Sequence, residues 1–357
     1  AEALEGDKTL TWTQPSNSSK GNFESLDQGY WLFVTDAPSK TGNTDVYTSP
    51  IFTIVGGSDV KVAPKKSVPT VVKKIKNDDG SDWADKADSQ MGQQVKYMLT
   101  GTVASNIATF DNYYYEFSDK LSGGLTADDS SVVVKIGNTI LPRNTTSGAK
   151  TGYDVSIDTT NTLTVKFTDL KAAAKQAGAA LDGSSNVVVT YTAMLDPTKA
   201  TNVTVGGTGN DNAVKLIYSN NPMGEGTGES VPDTVRDYTY ALKLVKVDSV
   251  ETAKKLEGVR FTIQATTPDD ASSNDKFVQE KGNLGADPHE FTTNKNGEIS
   301  VAGLDAGTYT VHEVEGSNPG YNTLKDFNFT IEANGLDKLE GEKLDDNTDP
   351  NTLKVTA

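Results

Sequence analysis

The 357-residue chain contains no cysteine. That excludes disulfides, thiolate-bound zinc and a thiol nucleophile. Histidine is nearly absent as well: there are two, His289 and His312. A Ser-His-Asp arrangement holds its histidine between a nucleophile and a carboxylate, and no G-x-S-x-G accompanies either one. No P-loop, G-x-G-x-x-G or H-E-x-x-H is present. Both histidines therefore read as surface or strand residues, and no cofactor is expected. The acidic stretches Thr267–Asp275 and Asp345–Asn351 lack the spacing of an EF-hand and read as solvated loops, so no metal is expected either. Positive charge is scarce, with 33 Lys+Arg against 49 Asp+Glu and a net charge of -16. This argues against nucleic acid as a partner, because phosphate binding needs clustered Lys and Arg. Long apolar runs are missing too, so no transmembrane helix is expected. The opening AEALEGDKTL has neither the basic nor the apolar region of a signal peptide, which is absent or already removed.

What is present points to β structure. Short β-branched and aromatic runs are punctuated by clusters of Gly, Asn, Asp and Ser. The length suggests two or three domains. Residues 1–65 contain two strand-like runs, Gly29–Val34 and Ser49–Val55, too few for an independent core, and read as part of a larger N-terminal domain. Residues 66–222 carry seven such runs: Val71–Ile75, Gln94–Gly101, Tyr113–Phe117, Val132–Ile136, Leu163–Phe167, Val187–Thr192 and Val214–Tyr218. This is the spacing of an immunoglobulin-like β-sandwich. Asp169–Leu181 is the exception, an Ala-rich helix with Asp169 as N-cap and Gly178 near its end. Residues 223–237, rich in Gly, Glu and Pro, read as a linker. Residues 238–357 repeat the strand-and-turn plan, with a last strand near Leu353–Thr356.

Val60–Asn77 stands out because it holds six of the 33 Lys+Arg within 18 residues. In Val71-Val72-Lys73-Lys74-Ile75, strand alternation puts Val71, Lys73 and Ile75 on one face. If that face is the core, Lys73 is buried and its ammonium is destabilised. A neutral amine is a nucleophile. Beside an asparagine amide and a carboxyl kept protonated by burial, it can attack the amide carbon and expel ammonia, leaving an isopeptide bond. Taken alone, a lysine on a strand faces solvent, and periodicity does not establish this chemistry.

Here the chain resembles a known family, the major (shaft) pilins of Gram-positive bacteria, which are assembled by sortase. Val60-Lys61-Val62-Ala63-Pro64-Lys65 is similar to the pilin motif V-x-V-Y-P-K, with Ala63 in place of Tyr. The resemblance implies that Lys65, with Lys66 as the alternative, is joined to the next subunit. Pro69–Ile75 resembles the opening strand of the middle pilin domain, which makes Lys73 its crosslinking lysine. Tyr115–Leu125 resembles the segment D-x-L-x-x-G-L and places the catalytic acid at Asp119. Ala213–Pro222 resembles the closing strand Y-S-N-N-P, which makes Asn220 the acceptor and Asn221 the fallback.

Residues 238–357 are similar to a collagen-adhesin B-type (CnaB) domain, on Leu242–Asp248, Leu256–Phe261 and Gly303–Glu313 followed by Pro319-Gly320-Tyr321. That alignment makes Lys243 the reactive lysine, Lys246 the runner-up and Glu313 the acid. Asn351 is a candidate acceptor; otherwise the acceptor strand and an L-P-x-T-G sorting signal are expected to follow residue 357. The resemblance thus implies an all-β chain of tandem sandwich domains, CnaA-like then CnaB-like. It also implies a structural, non-enzymatic subunit at the cell surface. Its expected partners are other pilin subunits, a sortase and host surface or matrix molecules; an adhesin or tip pilin is the alternative.

Overall fold

The computed structural model describes residues 23, 26–33, 51–56, 60, 68–78, 82–268, 270–333 and 353–355. Near the N-terminus, β1 (Gly29–Phe33) and β2 (Ile51–Val55) pair antiparallel, Gly29 opposite Val55 and Phe33 opposite Ile51. Lys65, Lys66 and Asn351 lie outside the described residues.

The middle domain is a two-sheet sandwich. In chain order its strands are β3 (Val71–Lys76), β4 (Trp83–Ala84), β5 (Lys86–Asp88), β6 (Val95–Thr102), β7 (Tyr115–Leu121), β8 (Leu125–Ile136), β9 (Thr139–Ile140), β10 (Asp154–Ile157) and β11 (Thr162–Phe167). After the helix α1 (Leu170–Ala177) come β12 (Asn186–Leu195), β13 (Asn210–Ser219), β14 (Thr227–Glu229) and β15 (Asp233–Tyr238). One sheet runs β4-β3-β6-β12-β8-β9 and the other β10-β11-β7-β13-β15-β5, with β14 added beside β13. Alternation decides which side chains meet between the sheets: in β3 Val71, Lys73 and Ile75 are buried while Val72 is exposed. Tyr97, Leu99, Phe117, Val189, Leu216 and Tyr218 extend that core. The helix is capped as its sequence requires. Asp169 Oδ1 accepts from the backbone N–H groups of Lys171 (3.1 Å) and Ala172 (3.3 Å), and Gly178 takes the left-handed conformation at φ 71°.

One expectation is corrected here. Residues 223–237 are not a free linker, because β14 and β15 pair antiparallel with β13, and β15 also pairs parallel with β5. The middle sandwich therefore runs on to Tyr238, and the C-terminal domain starts two residues later.

That domain contains β16 (Tyr240–Val245), β17 (Arg260–Pro268), β18 (Phe277–Val278), β19 (Leu284–Gly285), β20 (Phe291–Thr292), β21 (Glu298–Leu304), β22 (Gly307–Glu313), β23 (Phe327–Ile331) and β24 (Leu353–Val355). Its sheets run β21-β16-β24 and β19-β18-β17-β22-β23, with β20 beside β17, around a separate core that includes Leu242, Val259, Phe261, Ile263 and Tyr309. β24 lies parallel to β16, Leu242 level with Leu353. Among the described residues no helix is long and apolar enough to cross a membrane.

The two domains share a tight joint. Gln90 Oε1 accepts from Asp305 N and Tyr309 Oη, each at 3.0 Å, and its Nε2 donates to the carbonyls of Gly303 (3.0 Å) and Gly282. Gly303 has φ 93°, and a Cβ there would come within 2.8 Å of Met91 Cβ, so the close approach requires glycine.

Candidate functional site

Three strands and one cross-sheet tyrosine build the site in the middle domain. In the first sheet Lys73 sits opposite Leu99, and Leu99 opposite Val189; one row along, Ile75, Tyr97 and Tyr191 are aligned. All these side chains point inward. In the facing sheet Asp119 lies opposite Val214 on β13, and Asn212 is two residues before Val214, so the carboxylate and the amide share the inner face. Lys73, Asp119 and Asn212 have no exposed surface, and Tyr191 has 2%.

The contacts are direct. Lys73 Nζ forms a buried ion pair with Asp119 Oδ1 and lies 3.2 Å from Tyr191 Oη. Tyr191 Oη donates to Asp119 Oδ2 at 2.6 Å and accepts from Asn212 Nδ2 at 2.8 Å. The Tyr97 and Tyr191 rings stack at 5.2 Å, and the ammonium lies 5.5 and 5.6 Å from their centroids. Burial pulls the Lys73 ammonium down from 10.5 to about 8, against the opposing pull of Asp119. Burial, with the charge of Asp119, pushes the Tyr191 phenol well above its ordinary value, so it stays neutral. Asn212 Oδ1 is buried without a hydrogen-bond partner. A lowered amine, a carboxyl and an amide are thus held together out of water, with residues of β3 and β13 on the facing inner sides of the two sheets.

Of the residues expected from sequence, the structure brings Lys73 and Asp119 together and leaves Asn220 elsewhere. Asn220 follows the far end of β13, eight residues past Asn212, which at strand rise is roughly 26 Å away. Its backbone N–H donates to Gly226 O at 3.2 Å, at the turn into β14. Asn221 Oδ1 accepts from Met223 N in the same turn. Asn212 was legible through alternation alone: counting back from the apolar Val214, Leu216 and Tyr218 puts it on the inward face. The closing-strand motif drew attention to the other end.

A second constellation lies in the C-terminal domain. Lys246 Nζ is 2.8 Å from Glu313 Oε2, with side-chain exposures of 13% and 1%. Glu313 Oε2 also accepts from Leu324 N at 3.1 Å, while Oε1 is buried without a partner. Lys243 is not there. Its side chain is 41% exposed and pairs with Glu298 at 3.0 Å. The reason is parity: Leu242 and Leu244 face the core, so Lys246 follows them inward and Lys243 points out. The histidines stand apart, His312 exposed beside Asp326 at 2.7 Å and His289 edge-on to Phe291.

Comparison with known proteins places this architecture. Residues 240–344 match the SpaA prealbumin-like fold domain. The trypsin-resistant surface T6 protein of Streptococcus pyogenes serotype M6 is 25% identical over 292 residues, covering 76% of this chain and 47% of the relative. The chain thus spans about half the length of that curated relative. Among solved structures, the T6 backbone pilin of serotype M6 Streptococcus pyogenes superposes with a TM-score of 0.58 at 21% identity, over 81% of this chain and 62% of that one. The major pilin subunit BcpA of Bacillus cereus gives 0.57 at 18% identity, over 93% and 85%. A 35 kDa C-terminal fragment of the Streptococcus agalactiae major pilin GBS80 gives 0.54 at 21%, over 80% and 99%. The fold is that of the Gram-positive major pilins, with a SpaA-type prealbumin-like domain at the C-terminal end.

Proposed function

We propose that this chain is a backbone subunit of a Gram-positive surface pilus, and that its middle domain closes itself with an amide bond between Lys73 Nζ and Asn212 Cγ. The observation that carries the reading is the buried Lys73–Asp119–Asn212 set. Transfer of a proton from Nζ to the Asp119 carboxyl leaves a neutral amine and a neutral acid. The amine attacks Cγ, and ammonia leaves. The bond ties the first strand of one sheet to the last long strand of the other across about 140 residues, a loop worth roughly 5 kcal/mol in the chain-entropy account. A chain without cysteine gains in this way a crosslink that reductants cannot open.

Lys246 and Glu313 supply the amine and acid of a second bond in the C-terminal domain. Its acceptor would lie on or after β24, the strand that runs beside β16. Lys65 is the proposed link to the next subunit, made by a pilin-specific sortase, with Lys66 as the alternative. The subunit acts on no other molecule and works at the cell surface as part of a covalent polymer.

Expression in a sortase-bearing Gram-positive host tests the polymer. Lys65→Ala is expected to abolish the high-molecular-weight ladder while Lys66→Ala leaves it intact. A ladder unchanged in both variants, and in the double variant, contradicts the assignment.

A further inference from the structure

We propose that Tyr191 is a catalytic residue of the crosslinking reaction, the relay that carries a proton from the attacking amine's side of Asp119 to the departing nitrogen of Asn212. The inference rests on the Lys73–Asn212 reading above. Nothing in the sequence singles Tyr191 out, since it sits in the middle of an apolar strand as an ordinary core aromatic.

The geometry carries the argument. One hydroxyl touches all three reacting groups: it lies 3.2 Å from Lys73 Nζ, 2.6 Å from Asp119 Oδ2 and 2.8 Å from Asn212 Nδ2. Lys73 meets the other carboxylate oxygen, Oδ1. The attacking and leaving nitrogens are therefore bridged by an unbroken chain of Oδ1, Oδ2 and Oη. Water does not offer a path, because all four side chains are buried. A phenol suits the task, being donor and acceptor at once.

The balance is as follows. Lys73 Nζ gives one proton to Tyr191 Oη as the tyrosine's own proton passes to Asp119 Oδ2, and the neutral amine attacks Asn212 Cγ; the C–N bond forms and the carbonyl π pair moves to Asn212 Oδ1. The Asp119 carboxyl passes its proton from Oδ2 to Tyr191 Oη as the tyrosine's own proton passes to Nδ2. Asp119 is reprotonated at Oδ1 by the second Nζ proton. The pair on Oδ1 returns, the Cγ–Nδ2 bond breaks, and ammonia leaves. Tyr191 ends as it began, Asp119 ends as a neutral carboxyl holding the proton that the Lys73 ammonium brought to the ion pair, and one ammonia is lost for each bond made.

Cell-free synthesis followed by time-resolved intact mass of the whole chain tests this. Wild type is expected to lose about 17 Da, the mass of the ammonia released on amine attack. Tyr191→Phe is expected to react about 100-fold more slowly, the scale of a lost general acid–base group, while giving a folded circular-dichroism spectrum. Placing 3,5-difluorotyrosine at 191 keeps the ring and hydroxyl but makes the phenol more acidic. It is expected to restore crosslinking over Phe, at a rate different from wild type. Equal rates for wild type and Tyr191→Phe overturn the relay, as do equal rates for tyrosine and difluorotyrosine, which leave only a positioning role. Should Tyr191→Phe fail to fold, the difluorotyrosine comparison decides alone. Wild type that never loses ammonia sinks the underlying crosslink reading instead, so the two failures are distinct.

Discussion

At the scale of single residues, Lys73 and Lys246 show how much alternation can say when it is allowed to outrank a motif. Lys73 follows Val71 into the core, and the lysine expected to react is the one that is buried. Lys246 follows Leu242 and Leu244 in the same way, yet motif alignment favoured Lys243, which faces Glu298 and solvent. Asn212 was missed for the same cause. The partners of Lys73 lie 46 and 139 positions away, and no local pattern reports which side chains two facing sheets bring together. The uncrosslinked state has a testable charge signature. In Asn212→Ala, Lys73 stays a free amine with a folded-state value near 8 against 10.5 unfolded. The native state then binds fewer protons than the unfolded state between those values, so stability rises with pH across that window and is depressed below it. The expected gain from pH 8 to 10.5 is about 3 kcal/mol at 1.36 kcal/mol per pH unit. Urea unfolding of Asn212→Ala at both ends of that window measures it, and Lys73→Met in the same background is expected to remove the gain.

Among the elements, the strands with apolar alternation and the capped helix were readable, and their observed bounds differ from expectation by a few residues at most ends. β14 and β15 were not readable. Their sequences, TGE and DTVRDY, are short and polar, and they gain strand structure by pairing with β13, β15 also with β5. Gly and Pro around them gave the signature of a linker. β15 also completes the site's frame. Asp233 Oδ2 accepts from Lys73 N at 2.7 Å, at a point where β4 does not reach along β3. Asp233→Ala is expected to cost about 1 kcal/mol, since the bond is charged but half-buried, and thermal unfolding of the uncrosslinked Asn212→Ala background reads it. Asp169→Ala, which strips the N-cap of α1, is expected to cost a similar amount, about 1 kcal/mol in the same assay.

For the whole molecule, the joint between the two domains is where the chain's excess of acid becomes structural. Asp88, Asp237 and Asp305 are buried there, with Asp78 nearby. Burial first, then the charges of Asp88 and Asp78, push Asp237 and Asp305 well above the ordinary carboxylate value of 3.8. The native joint therefore holds protons that the unfolded chain has released. Its stability is complete below the ordinary value and is lost as pH climbs through the raised ones. Thermal unfolding is expected to fall from pH 5 to pH 8, and to fall less in Asp305→Asn. In the proposed reading, the hydrogen bonds across Gln90 and a crosslink inside the neighbouring sandwich would serve one end, which is to carry load along the chain without unravelling strands. The most direct test is peptide mapping of the purified chain alongside its intact mass. A shortfall of about 17 Da, one ammonia, localised to a branched peptide joining Lys73 to Asn212 is the predicted result, lost in Asn212→Ala and retained in Asn220→Ala. A middle domain at full sequence mass, or a branch from Lys73 to Asn220, would contradict it.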